Sequence, residues 1–166
     1  MDDSGTNMSG HQEALGPPGF LVLDLESIPD GRLLSTVKYT RLGLSEEAAV
    51  ERARQEAIDA TGSDFIAAPF QIPVAVCVAR VGRDFSLQRV SCLDAPAFRT
   101  RKIVEDFWRH LDAPGLRAAK LVTFNGRGFD LPLLELAAFR YGCRLPASYL
   151  AARRDRYNGQ IDVLEW

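Results

Sequence analysis

Phe20-Leu21-Val22-Leu23-Asp24-Leu25-Glu26 alternates leucine with other residue types. Alternation with a period of two is the signature of a β-strand, whose successive side chains leave opposite faces. Leu21, Leu23 and Leu25 therefore share one face, and Val22, Asp24 and Glu26 share the other. Bare carboxylates on a buried strand face are costly unless a cation meets them. A divalent metal ion is the simplest such cation, so the stretch points to metal-assisted phosphoryl chemistry.

A second stretch, Leu121-Val122-Thr123-Phe124-Asn125-Gly126-Arg127-Gly128-Phe129-Asp130, runs from an apolar strand through a glycine turn to another carboxylate. Hydrolysis of a phosphodiester needs an activated water and relief of charge at the scissile phosphate. Two divalent ions about 3.5–4 Å apart supply both. Hard ions such as Mg²⁺ take oxygen ligands and keep several waters, so a few carboxylates from different strands suffice. Asp24 and Glu26 from one strand and Asp130 from the other are the candidate set. Each feature alone has a plainer reading. An aspartate-x-glutamate occurs at solvated strand ends, Asn125 to Gly128 fits an ordinary glycine turn, and Asp130 before Leu131-Pro132 fits a helix N-cap.

The elements between these stretches follow from pattern. Residues 1–18 are polar, end in Pro17-Pro18 and read as a disordered leader before a single domain over residues 19–166. Pro29-Asp30-Gly31 turns the chain. Ser45 before Glu46-Glu47 predicts a helix start, with its stop at Gly62. Ile72–Val81 and Phe85–Cys92 predict a hairpin across Gly82-Arg83-Asp84. Phe98–Leu111 has helical spacing, with Ile103, Phe107 and Leu111 on one stripe. Lys120–Phe124 is a strand, Leu131–Tyr141 a helix closed by Gly142, and an arginine-rich loop leads to a last strand at Ile161-Asp162-Val163-Leu164. Early strands followed by alternating helix and strand predict a mixed sheet with helices packed on it.

Composition places the chain among ordinary globular domains, with 46% hydrophobic and 25% charged residues. Cys77, Cys92 and Cys143 form no CxxC pair and read as reduced thiols. No apolar run is long enough to span a membrane and no signal peptide is visible, which predicts a cytoplasmic protein. The net charge of −2 announces no nucleic-acid binder. Five arginines from Arg140 to Arg156 against Asp155 form a local basic segment that either meets phosphates or is a solvated face.

Taken together, the two stretches resemble motifs of the DEDD-type 3′–5′ exonucleases of the ribonuclease-H-like fold. The chain is most similar to the bacterial family predicted to be related to the proofreading domain of family-B DNA polymerases. Leu23-Asp24-Leu25-Glu26-Ser27-Ile28-Pro29 resembles the first motif and Thr123 to Pro132 the second, over a match of roughly residues 19 to 166. Gln160-Ile161-Asp162-Val163-Leu164 resembles the following strand, whose aspartate is not a metal ligand. The resemblance implies an α/β fold of the ribonuclease-H-like type. It also implies hydrolysis at nucleic-acid 3′ ends with two Mg²⁺ or Mn²⁺ ions. It makes Asp24, Glu26 and Asp130 catalytic metal ligands. Asn125 would hydrogen-bond the terminal nucleotide and Phe129 pack on it, an aromatic contact indifferent to base sequence. A core position is the other reading of Phe129, and Arg127 is a candidate phosphate contact.

The family's third motif, a Tyr or His followed by a fourth aspartate, lies beyond the strand at Ile161. Tyr157 and Asp162 only imitate its spacing. The expected fold is thus a mixed sheet with flanking helices whose C-terminal part is missing. The expected consequences are weak or absent activity in this chain alone and self-association through uncovered sheet surface. A catalytically inactive nucleic-acid-binding or scaffolding protein is the alternative function.

Overall fold

A computed structural model describes residues 16–155 and 159–165. Of the expected leader, residues 1–15 lie outside the described residues, as does Tyr157. Five strands form one sheet in the order β3-β2-β1-β4-β5. The strands are β1 (Phe20–Pro29), β2 (Gln71–Val81), β3 (Leu87–Cys92), β4 (Lys120–Thr123) and β5 (Gln160–Asp162). β1, β2 and β3 form an antiparallel meander, while β4 pairs parallel to β1 and β5 parallel to β4. This is the mixed α/β sheet expected from the sequence, in the ribonuclease-H-like arrangement.

The helices are α1 (Gly31–Leu33), α2 (Glu46–Thr61), α3 (Thr100–Leu111), α4 (Asp130–Tyr141) and α5 (Ala147–Arg154). The side chain of Ser45 accepts the Ala48 N–H at 3.2 Å, and Gly62 closes α2 in the left-handed region, as the cap residues predict. After Pro29 the chain does not simply turn. Asp30 caps α1, which runs into a π-helical turn at Leu34–Lys38 and a 3₁₀ turn at Thr40–Leu42. Leu34, Tyr39, Ala49, Ala53 and Ile66 form a second, smaller core there. The expected arginine-rich loop contains α5, whose Tyr149 is buried against the main core.

The leucine face of β1 forms the main core. Leu21, Leu23 and Leu25 meet Val76 of β2, Leu121 of β4, the stripe Ile103, Val104, Phe107 and Trp108 of α3, and Leu131, Leu134 and Ala138 of α4. Trp108 Nε1 donates to the Leu134 carbonyl at 3.3 Å, so the largest side chain of α3 also satisfies its polar atom. The other face of β1 corrects the sequence reading. Val22, Asp24 and Glu26 are exposed, so the carboxylates lie on the open face and not on a buried one. Among the described residues the helices of the main core pack on the leucine side, which leaves the two acids hydrated. Burial therefore does not by itself demand a cation at Asp24 and Glu26.

Candidate active site

The parallel pairing of β4 with β1 puts the end of β4 beside the middle of β1. Beyond Thr123 the chain makes a tight loop, and three of its features have a local cause. Asn125 takes φ 57°, a left-handed conformation that asparagine tolerates better than most residues. Gly126 leaves no room for a side chain: an added Cβ would lie 2.3 Å from Thr123 Cβ. The Asn125 carbonyl accepts the N–H groups of Gly128 and Phe129, each at 3.1 Å. The loop thereby delivers Asp130 to the first position of α4.

Asp162 of β5 holds this loop in place. Its carboxylate accepts the backbone N–H of Asn125 at 2.7 Å and of Arg127 at 2.9 Å, and that of Leu164 at 3.2 Å. It is buried, and its oxygens are occupied by backbone donors. Asp162 is therefore a positioning residue for the second motif.

Asp130 is buried, and its carboxyl is pushed up to about 6 from an ordinary value near 3.8. Burial is the main cause, and the negative charges of Asp24, Asp162 and Glu26 add to it, against a lowering backbone hydrogen bond. The three sequence-predicted carboxylates thus share one electrostatic neighbourhood. They do not close on a point. Among the described residues no three His, Cys, Asp or Glu side chains gather closely enough to hold a metal ion. Asp130 is also not the N-cap considered from the sequence, because Phe129 occupies that position.

The remaining predicted residues divide. Asn125 is exposed beside the loop. Phe129 is partly buried against the main core and also meets the exposed Phe65 edge-on, with ring centroids 5.1 Å apart. The core reading of Phe129 is therefore met in part, and Phe65 is a neighbouring aromatic that no local pattern in the sequence marks. Arg127 is turned inward. Its Nη2 donates to the Gln160 carbonyl at 2.8 Å, and its side chain is 15% exposed, which leaves little guanidinium surface for a phosphate. Two arginines of the basic segment are likewise engaged within the fold: Arg140 pairs with Asp30 at 2.7 Å, and Arg153 bonds Glu135 on α4.

Residues 63–162 match the family described as a predicted 3′–5′ exonuclease related to the exonuclease domain of PolB. The chain belongs to that family. The match takes in the whole second motif, Thr123 to Pro132, and Asp162, while β1 with Asp24 and Glu26 lies before it. It is thus shorter than the roughly 19–166 expected. No curated protein and no solved structure matches the chain. No helix among the described residues of this exonuclease-family chain is long and apolar enough to cross a membrane.

Proposed function

We propose that the chain is a metal-dependent 3′–5′ exonuclease domain whose carboxylates are Asp24, Glu26 and Asp130. The observation that carries this reading is the family match, which takes in the loop that delivers the buried Asp130 beyond strand β4, the parallel neighbour of β1. A buried carboxyl delivered by the family's matched loop is held near 6 partly by the two β1 carboxylates. Such an arrangement gathers negative charge that a cation would relieve. The donor set is carboxylate oxygen throughout, which fits a hard divalent ion such as Mg²⁺ or Mn²⁺. When bound, such an ion supplies charge relief at the scissile phosphate and an acidified water.

The chain's own residues perform the rest. Asp24 and Glu26 stand two residues apart on one exposed strand face, accessible to a strand of nucleic acid. Asp162 and Gly126 fix the loop that delivers Asp130, whose carboxyl feels the charges of Asp24 and Glu26. Asn125, exposed in its left-handed turn, offers a side-chain amide to the terminal nucleotide. The Phe65–Phe129 pair offers an aromatic edge and face for a base, a contact that tolerates any sequence. The substrate is a nucleic acid with a 3′ end, and the domain works in the cytoplasm.

The second reading is a catalytically inactive nucleic-acid-binding or scaffolding protein. It is favoured by the failure of three ligating side chains to converge among the described residues. Oligonucleotides labelled at the 5′ end or the 3′ end, incubated with Mn²⁺ and with EDTA, separate the two. The nuclease reading expects a ladder from the 5′ label, release of labelled mononucleotide from the 3′ label, and neither in EDTA. Binding without shortening under any divalent ion supports the inactive reading.

A further inference from the structure

Cys77 and Cys92, which stand apart in sequence, are placed opposite each other in the β2–β3 ladder. The Leu93 N–H donates to the Val76 carbonyl at 2.9 Å, which makes Val76 and Leu93 a hydrogen-bonded pair. The adjacent Cys77–Cys92 pair is therefore of the non-hydrogen-bonded kind, with Cα atoms about 4.5 Å apart and the closer side chains of the two pair types. A disulfide needs Cα atoms about 4.4–6.8 Å apart, a span within which a ladder position of this kind falls. Both thiols are free and partly accessible. Cys77 also faces Asp24 across the β1–β2 ladder, so the pair borders the carboxylate row. Cys143 belongs elsewhere, packed against the main core.

We propose that Cys77 and Cys92 form a dithiol modification site that low-molecular-weight disulfides of the glutathione type convert to an intrachain disulfide, tying edge strand β3 to β2. The Cys92 thiolate attacks one sulfur of the oxidant, whose S–S bond breaks, and the departing thiolate takes up a proton. Cys77 then loses its proton to solvent and attacks the Cys92 sulfur, forming the protein disulfide and expelling the second small thiol. Two protein thiols are oxidised and one small disulfide is reduced to two thiols. Nothing in this step depends on the nuclease reading.

The test equilibrates the full chain, and its Cys143→Ser variant, in mixtures of reduced and oxidised glutathione. Intact mass and peptide mapping follow. The expected product is lighter by two hydrogens, unchanged in chain number, with the Cys77 and Cys92 peptides linked. Cys77→Ser and Cys92→Ser are expected to stop at the glutathione adduct and to accumulate about tenfold more of it than the native chain, which has a resolving thiol at high effective concentration. A native chain that stops at adducts, stays fully reduced, or links either cysteine to Cys143 or to a second chain overturns the proposal. Mapping of the native chain decides even if a serine variant fails to fold.

Discussion

At Asp130, burial and neighbouring negative charge act in the same direction, and stability should record it. Its folded-state value of about 6 lies above the ordinary 3.8. A raised acid contributes stability below about pH 4, where it is protonated in both states, and that contribution is lost as pH rises through about 6. A shift of two units corresponds to about 3 kcal/mol as an upper bound. In EDTA, Asp130→Asn should therefore be more stable than the native chain by about 1–3 kcal/mol at pH 7.5, and the gap should shrink towards pH 4. Urea titrations of both proteins across that range check it. An equal pH dependence in the two proteins would contradict the charge neighbourhood. The same residue scale explains what the sequence concealed. Alternation in β1 separated Val22, Asp24 and Glu26 from the leucines, but alternation cannot tell which face is covered. Arg127 offered a charge, yet only the pairing of β4 with β5 reveals that the guanidinium turns to Gln160.

Among the elements, those with strong local codes were legible. α2 announces both ends through Ser45 and Gly62, α3 through its apolar stripe, and β2–β3 through two β-rich runs around Gly82. The helical turns from Gly31 to Leu42 were not, because a short α turn passing into π and 3₁₀ geometry has no single period. α5 was hidden because a two-turn helix rich in arginine keeps a single buried residue, Tyr149. Tyr149 donates to Glu135, and Arg153 bonds the same carboxylate, so tertiary contacts rather than propensity fix it. Phe65 was invisible for the same reason, since only the folded chain brings it to Phe129. The β4–α4 loop yields a prediction at this scale. Gly126→Ala would press a methyl group against Thr123, which is itself buried, so the backbone of β4 or the loop must shift. A loss of about 1–3 kcal/mol is expected, with Asp130 displaced. Thermal unfolding of the variant beside Gly128→Ala, whose added atom would meet only the Asn125 side chain and, farther off, its backbone, checks the assignment.

For the whole molecule, the sheet is two-sided in character. One face carries the core, while Val22, Val90, Phe124 and Val163 remain exposed around the carboxylate row and the cysteine pair. Exposed apolar surface of this kind marks interaction sites, and self-association through it is the expectation. Sedimentation velocity should show a concentration-dependent shift that Val90→Lys with Phe124→Ser reduces; a species independent of concentration in both proteins would refute it. The same face is where a nucleic-acid strand must lie for Asp24, Glu26 and Asp130 to act together. The most direct test of that account is a single-turnover digestion of a 5′-labelled single strand with Mn²⁺, comparing the native chain with Asp24→Ala and Asp130→Asn. The account predicts weak, stepwise shortening from the 3′ end by the native chain, in keeping with the absent third motif, and a further reduction of about 100-fold or more in each variant, as expected for loss of a group that supports the reaction directly. Undiminished shortening by both variants would contradict the carboxylate site, and no shortening by the native chain would contradict the exonuclease itself.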